Sequence, residues 1–359
     1  MLQFRFNRHK RVVLLLFCGI IKFMKTLVEK IDAPVSCSLM CQGGFDQADD
    51  RYMGMLGMHG TKTAAEALKH CDLFLAVGTR FSDRVICNAN LFARHCPIIQ
   101  IDIDPAEFNK NIDVTLKLGG DAKQILSLLN EKLEQQNHKE WIEQIKAWKK
   151  EYPLRQEAID PNGVTPQMLF DALNELTKSE AIIATEVGQH QMWAAQFYEF
   201  RHPRQFITSG GLGTMGFGLG AAMGAQVANP DKKVINIAGD GSFHMNCNEL
   251  STLAKYQIPM MELVLDNSVL GMVRQWQKLF YDNRFSQTTQ DKKTDFVKLA
   301  EAFGVKAFEI HTKDELIPVL KEALGLKEPV LVACHIHRDF NVLPMVPAGA
   351  SAEEPILEM

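Results

Sequence analysis

Several features are scarce in this sequence, and each absence narrows what the chain can be. Its eight cysteines, at positions 18, 37, 41, 71, 87, 96, 247 and 334, contain no C-x-x-C pair and follow no regular spacing. That removes the usual sequence signature of a structural zinc site, Cys37 and Cys41 standing too isolated to make one. It leaves reduced thiols in a cytoplasmic enzyme as the simplest reading. Neither charge dominates. Lys plus Arg number 39 against 43 Asp plus Glu, a net charge of −4, which argues against nucleic acid as the main partner. A long apolar run is also lacking. Val12–Ile21 follows Arg5, Arg8, Lys10 and Arg11 in the manner of a secretion signal. It falls short of the ~20 residues a spanning helix needs, and no small-residue cleavage site follows it cleanly. We read it as a buried strand, Val12 to Phe17, with a helix after it to about Ile31, and expect no membrane partner. No internal repeat or low-complexity tract stands out.

What is present is concentrated between Val234 and Trp276. The apolar run Val234–Ala238 reads as a buried parallel strand ending in Gly239-Asp240-Gly241-Ser242. A helix-like stretch from about Met245 to Tyr256 follows, then a second apolar run, Met260–Leu265, ending in Asp266-Asn267. Two strands would thus each deliver an oxygen ligand at the carboxyl end, where open α/β sheets bind their ligands. A carboxylate (Asp240) and an amide oxygen (Asn267) are hard donors suited to Mg²⁺ or Ca²⁺. Two side chains are too few to enclose such an ion, and Mg²⁺ held this way completes its shell with water and phosphate oxygens. Gly239 and Gly241 let backbone approach a phosphate, Ser242 offers a hydroxyl, and a helix N-terminus favours the anion. Gly-Asp-Gly alone is a common turn. Asn267 ending the next strand, 27 residues after Asp240, shifts the reading to a metal-bridged diphosphate site.

The length allows two domains with ample cores. From Ala33 to about Leu133 strands and helices alternate: Asp72–Val77 and Pro97–Asp102 as strands, Ala64–Lys69 and Ala122–Leu133 as helices. Three strand-end loops offer places for a nucleotide: Gly57-Met58-His59-Gly60, Gly78 to Arg84, and Asp102-Ile103-Asp104-Pro105. Ordinary turn chemistry is the alternative, and the residues alone do not choose. Glu131–Arg155 reads as solvated helix and connection, and Asp160-Pro161-Asn162-Gly163 as a strong turn. We therefore expect a first domain over 1–155 and a second over 164–359 that includes a Pro- and Glu-rich tail from Leu343. The second begins at Thr165-Pro166, with Pro at the first helical position. Ala181–Thr185, Val305–Ile310 and Pro329–His335 read as its strands, Phe296–Phe303 and Leu316–Leu324 as its helices. His335 and His337 are read as structural. The expected fold class is α/β, two doubly wound open parallel-sheet domains.

Gly-Asp-Gly followed by Asn at this distance resembles the diphosphate motif of thiamine diphosphate enzymes. The continuation Leu270-Gly271-Met272-Val273-Arg274-Gln275-Trp276, with Ser209 to Gly216 and Val187 to Met192, resembles the acetolactate synthase large catalytic subunit more narrowly. The resemblance runs from about Leu27 to the C-terminus. It implies thiamine diphosphate, Mg²⁺ and FAD as cofactors. Gly188, Gln189 and His190 would surround the diphosphate, with Gly239, Asp240, Gly241 and Ser242. Asp240, Asn267 and the Val269 carbonyl would hold the metal. The Gly213 carbonyl would take a hydrogen bond from the cofactor, and Met215 would wedge it into a bent form. Met272 and Trp276, one turn apart on a helix, would line the substrate channel, Trp276 favouring 2-oxobutyrate; a core stripe is the plain alternative for the pair. An FAD of structural rather than redox role would lie against Met58, His59, Gly78, Arg80, Asp83, Arg84, Asp102 and Asp121. Met58 and Arg84 would also stand near the substrate, where a guanidinium suits a 2-oxo acid carboxylate.

The implied activity is decarboxylation of pyruvate and condensation of the resulting two-carbon unit with pyruvate or 2-oxobutyrate, a first step toward branched-chain amino acids. A homo-oligomer and a small regulatory subunit are the implied partners. Two departures stand out. The glycine run expected after the first strand is reduced to Gly19, and no motif matches the domain that carries the family's catalytic glutamate. Another carboligase or decarboxylase of the superfamily, such as glyoxylate carboligase, and an inactive cofactor-binding fragment are the alternatives.

Overall fold

The computed structural model describes residues 9–16, 21–290 and 294–358. The family-specific Gly19 and its neighbours lie outside them. The chain divides into two compact units. One comprises residues 1–154, 201–204 and 343–359; the other comprises 155–200 and 205–342.

In the first unit the elements run β1 (Val12–Leu16), α1 (Ile21–Ile31), β2 (Val35–Cys37), β3 (Tyr52–Met55), α2 (Lys62–His70), β4 (Leu73–Val77) and α3 (Asp83–Ile86). They continue with β5 (Ile98–Asp102), β6 (Leu116–Gly119), α4 (Ala122–Lys132) and α5 (Lys139–Glu151). The six strands are all parallel in the order β3-β2-β1-β4-β5-β6. A parallel sheet is covered on both faces, so its central strands read as unbroken apolar runs. β4 (LFLAV) is buried at every position, and the two faces of the sheet carry separate cores. Within the N-terminal apolar run, Val12–Leu16 is a strand and α1 begins at Ile21, the expected Phe17 end of the strand lying outside the described residues. The order reverses direction between β1 and β4, so the crevice at their carboxyl ends is the ligand-binding position of such a sheet.

The second unit runs α6 (Pro166–Thr177), β7 (Ile182–Thr185), α7 (Gln189–Phe197), β8 (Phe206–Thr208), α8 (Gly218–Ala228), β9 (Val234–Gly239), α9 (Asp240–Phe243) and α10 (Leu250–Lys255). Then follow β10 (Met261–Asp266), α11 (Gly271–Phe280), α12 (Phe296–Ala302), β11 (Lys306–Ile310), α13 (Lys313–Gly325) and β12 (Val330–His335). Its parallel order is β11-β12-β10-β9-β7-β8. Here the switch in winding direction falls between β7 and β9. Thr165 caps α6 by accepting from the Met168 amide at 3.0 Å, and Pro166 occupies the first turn, where a missing N–H costs nothing. Among the described residues no helix is long and apolar enough to cross a membrane.

Three expectations need correction. The stretch 131–155 is not simply solvated: α5 buries Trp141, Ile142 and Ile145, and the Trp141 indole donates to the Val12 carbonyl at 3.2 Å. The helix expected from about Met245 to Tyr256 starts two residues later, as a 3-10 turn over Cys247–Glu249 that runs into α10, and a separate short turn starts at Asp240 itself. The tail from Leu343 packs with the first unit, not the second. The Val346 amide donates to the Met58 carbonyl at 2.8 Å, Asn88 donates to the Gly349 carbonyl at 2.7 Å, and Ser351 bridges to Cys87.

One buried polar pair lies in the middle of the second sheet. Glu262 on β10 is fully buried and receives both its hydrogen bonds, 2.9 and 3.0 Å, from the Asn236 amide on β9. Burial pushes its pKa well above the usual value of 4.5. A carboxyl whose pKa is higher folded than unfolded holds its proton more tightly in the native state. Its contribution to stability is thus full below about pH 4.5 and declines as pH rises toward the folded value. Glu262→Gln, which cannot ionise and keeps the Asn236 contact, is expected to flatten that decline. Urea midpoints from pH 4 to 8, compared with wild type, check this; parallel profiles would contradict it.

Candidate functional site

Parallel register decides what meets at the carboxyl edge of the second sheet. Gly239 pairs with Leu265, Leu265 with Cys334, and Cys334 with Ile310. The next residue of each strand therefore continues one row across four strands: Asp240, Asp266, His335 and His311. Asp240 and Asp266, both buried, hydrogen-bond one another. Two carboxylates this close in low dielectric cannot both ionise easily. Burial first, and then the Asp266 charge, push Asp240 up to about 8. Burial also pushes Asp266 upward, but the His335 Nδ1 at 3.3 Å and the Ser268 amide at 2.9 Å outweigh it and hold Asp266 below its ordinary value. The pair thus titrates as one coupled unit, with Asp240 drawn toward its protonated form and Asp266 toward its ionised form.

The loop after β10 is held in an uncommon backbone form. Ser268 has φ +57°, a left-handed conformation that a non-glycine residue adopts only when its surroundings impose it. Those surroundings are the Asp266 carboxylate, which takes the Ser268 amide, and residues 288–290, which pair with 268–270 through Leu270 N to Thr288 O (2.8 Å) and Gln290 N to Ser268 O (2.9 Å). The Asn267 Oδ1 accepts from the Val269 amide at 3.1 Å. Asp240, Asn267 and Val269 thereby line one cleft, of about 520 Å³ of empty space, with Gly188, His190, Met215, Gly241, Ser242 and Met272. Of the other sequence-expected residues of this unit, Gln189 and Gly239 also line it, whereas Gly213 and Trp276 do not, Gly213 standing two residues from Met215.

His190 forms the floor. Burial pushes its pKa down to about 3, against a hydrogen bond to the Glu186 backbone, so the ring is neutral. Its Nε2 is buried and has no partner within the protein. Two glycines make room for the ring. A Cβ on Gly188 would lie 2.8 Å from His190 Cε1, and one on Gly239 would lie 2.8 Å from Nδ1. Both distances are below real contacts, and Gly188 also has φ +157°. An orphaned polar atom at the base of a glycine-walled cleft is what a bound polar group would satisfy.

Two residues that sequence reasoning left unassigned organise the rim. Glu186, next after β7, caps the N-terminus of α8 by accepting from the Gly216 amide and from the Leu219 amide at 3.1 Å. It thereby fixes the end of the exposed 209–217 loop that carries Gly213 (φ +65°) and Met215. Gln275 on α11 is 1% exposed and binds three ways. It accepts from Gln189 Nε2 at 3.0 Å and from the Val342 amide at 2.8 Å, and it donates to the Val342 carbonyl at 2.9 Å. Gln189 also donates to the Phe340 carbonyl at 2.9 Å, so its amide nitrogen is spent on structure. Gln275 lies within the Leu270–Trp276 motif, which gives it no role of its own; its signal is a polar residue on the inward face of an amphipathic helix. On the outward side Met272 and Trp276, one turn apart, line an open recess with Tyr281, and Trp276 packs edge-on to Phe280.

In the first unit, Met58, His59 and Arg84 adjoin: the Met58 amide donates to the Arg84 carbonyl at 2.8 Å. Burial pushes His59 down to about 4. The Arg84 side chain is 68% exposed and pairs with Asp83 at 3.2 Å. Gly78 (φ +64°) ends β4, its amide bonding to the Ile101 carbonyl of β5, while Arg80 lies on the exposed loop beyond. Asp102 ends β5 and accepts from the Asp104 amide at 3.0 Å. Asp121 is the N-cap of α4, accepting from the Gln124 amide at 3.1 Å.

Two family models match the sequence. That of the thiamine pyrophosphate enzyme central domain covers residues 5–129, and that of the C-terminal thiamine pyrophosphate-binding domain covers 186–334. Among curated proteins, the acetolactate synthase isozyme 2 large subunit of Escherichia coli is 43% identical over 89% of this chain and 58% of its own length. The mitochondrial acetolactate synthase catalytic subunit of Saccharomyces cerevisiae is 41% identical over 97% and 53%. A probable acetolactate synthase large subunit of Methanocaldococcus jannaschii is 45% identical over 90% and 56%. The chain thus spans somewhat over half the length of the curated relatives it matches.

The Gln275 network carries a testable consequence. Gln275→Leu keeps the volume but strips partners from Gln189 and from both backbone groups of Val342. We expect a loss of roughly 2–4 kcal/mol and faster hydrogen exchange at the Val342 amide. Chemical denaturation and amide exchange measure both; an unchanged Val342 amide would show that the network does not anchor the segment.

Proposed function

The chain belongs to the thiamine pyrophosphate enzymes, and from that premise we propose that it supplies the diphosphate-binding half of an acetolactate synthase active site. The carrying observation is the Asp240–Asn267–Val269 oxygen set, placed beside the orphaned His190 nitrogen in a glycine-walled cleft at the switch point of a parallel sheet. Thiamine diphosphate, when bound, supplies the carbon nucleophile and electron sink for removing CO₂ from a 2-oxo acid.

The residues present fit such a group. A carboxylate, an amide oxygen and a backbone carbonyl are the hard donors Mg²⁺ takes, leaving positions for phosphate oxygens. Asp240 gives up its proton when a cation arrives, and the Asp266 charge, otherwise a penalty, becomes an attraction. Gly188, Gly239 and Gly241 line the cleft with bare backbone, Ser242 lines it with a hydroxyl already bonded to the Gly239 amide and carbonyl, each at 3.1 Å, and His190 offers its free nitrogen. Met215, at the end of the loop tethered by Glu186, stands where a bulky side chain would prop the cofactor. The Gly213 carbonyl would orient it. Met272 and Trp276 would contact the acceptor and exclude water.

For the first unit we propose an FAD at the β1/β4 crevice. Gly78, with left-handed backbone, lets a ligand come close; Arg80 and Asp83 follow β4, and Asp102 ends β5, the strand beside it. Asp121, spent on capping a helix, fits only as a support of that edge. Arg84 and Met58 are assigned to the substrate side, Arg84 as the reader of a 2-oxo acid carboxylate. Pyruvate and 2-oxobutyrate are the proposed substrates. A small regulatory subunit is the proposed partner because the relatives are named large subunits; a homo-oligomer and a cytoplasmic setting are proposed with it, and the described cysteines, all free thiols, suit a reducing compartment.

Two measurements check this reading. Mg²⁺-dependent binding of thiamine diphosphate, followed by calorimetry, is expected to weaken roughly a hundredfold or more in Asp240→Ala, which loses the one charged ligand. Equal affinity would overturn the site. With turnover established on pyruvate plus 2-oxobutyrate, Trp276→Leu is expected to shift the product ratio toward acetolactate by roughly tenfold. An unchanged ratio would remove Trp276 from acceptor selection. Binding without any product would favour a cofactor-binding role over a catalytic one.

A further inference from the structure

The row of side chains that begins at Asp240 does not stop at the cleft. It continues over β12 and β11 to the far edge of the sheet, where it brings two imidazoles and a carboxylate together. His335 is the residue after Cys334, and His311 the residue after Ile310, which pairs with Cys334. Glu309, two residues before His311, faces the same way, because side chains alternate along a strand. The His335 Nε2 lies 3.4 Å from Glu309 Oε1, and the His311 Nε2 lies 3.3 Å from Glu309 Oε2. The two rings stack face to face, centroids 4.3 Å apart and 5° from parallel. One ligand atom from each of the three residues falls within 4.8 Å of the others.

We propose that Glu309, His311 and His335 form a binding site for a divalent transition ion of the Zn²⁺ class, separate from the cleft around Asp240. Two imidazoles and one carboxylate suit such an ion rather than Mg²⁺ or Ca²⁺. The spacing fits as well. Ligands at ~2.0–2.1 Å from a tetrahedral ion sit about 3.4 Å apart; His311 Nε2 is 3.3 Å from one Glu309 oxygen and His335 Nε2 3.4 Å from the other, and a turn of the exposed His311 ring out of its stack brings both in-plane lone pairs onto one ion.

The opposite side of His335 supplies an independent observation. Its Nδ1 faces the Asp266 carboxylate at 3.3 Å. A carboxylate on the far nitrogen of a histidine fixes the tautomer with the proton on Nδ1, aims the Nε2 lone pair outward and raises its basicity, as the outer partners of metal-bound histidines do. A simple ion-pair chain would explain His335 between Asp266 and Glu309. It does not call for a second imidazole stacked on the first with its own Nε2 turned to the same carboxylate, since two protonated rings would repel. All three residues stand at or beside strand ends, which are rigid supports for a site. The face is open, His311 being 56% and Glu309 40% exposed, so water completes the shell.

The test is calorimetric titration of the full chain with ZnCl₂ at pH 7.5, without thiamine diphosphate, alongside His311→Ala and Glu309→Gln. Both positions are exposed, so the variants are expected to fold, which circular dichroism confirms. Expected is one Zn²⁺ site in wild type that weakens at least tenfold in each variant, with Mg²⁺-dependent thiamine diphosphate binding unchanged. Zn²⁺ binding equal in wild type and both variants would place the ion elsewhere, such as at cysteines, and overturn the proposal. No Zn²⁺ binding to wild type at micromolar concentrations would do the same. Because the cofactor readout is separate, failure here and failure at Asp240 are distinguishable.

Discussion

Parallel strand register is the constraint on which the second unit depends. Once β9, β10, β12 and β11 pair as they do, Asp240, Asp266, His335 and His311 have no choice but to stand side by side. The consequence is electrostatic. Two buried carboxyl groups are forced together, one is held ionised by a histidine, and the other is left needing a proton or a cation. A single slip of the β9–β10 register would turn Asp240 to the opposite face and dissolve both the pair and the cleft.

Other features around the cleft read as accommodations to that arrangement. The left-handed Ser268 lets the chain turn directly after Asp266 so that Asn267 and Val269 face the same space. Gly188 and Gly239 clear room for the neutral His190 ring. Glu186 and Gln275 tie down the loops on either side with buried hydrogen bonds, which are costly to leave unmade and therefore specify position. The protein thus keeps a strained, partly unsatisfied centre inside a satisfied frame, which is the arrangement expected where binding of a ligand supplies the missing partners.

Much of this was legible in the sequence because its periodicities are strong. Val234–Ala238 and Met260–Leu265 are unbroken apolar runs, and buried parallel strands leave that trace; they end within a residue of where the structure ends them. Asp240 and Asn267 could be singled out because they follow such runs directly. Short edge strands such as Phe206–Thr208, with only three residues and half-buried faces, carry no comparable pattern. The helix expected from about Met245 starts two residues later, at Cys247, because the preceding residues belong to the turn that follows Asp240. Asp266, Glu186 and Gln275 were missed as organisers for one reason. Their importance lies in contacts between elements distant in sequence, which spacing does not encode. The tail was misassigned likewise: nothing in its composition says which unit it pairs with.

The most direct test of the central claim concerns the proton on Asp240. If the Asp240–Asp266 pair is the seat of the metal, binding of Mg²⁺ and thiamine diphosphate must expel that proton. Calorimetry in buffers of different ionisation enthalpy counts it. Because burial and the Asp266 charge hold Asp240 above its ordinary value, proton release per cofactor bound should be measurable near pH 7 and should fall away as pH rises toward 9.5. Binding that releases no proton at either pH would mean that Asp240 is already ionised in the free protein or takes no part in binding, and the account built on a protonated carboxyl pair would be wrong.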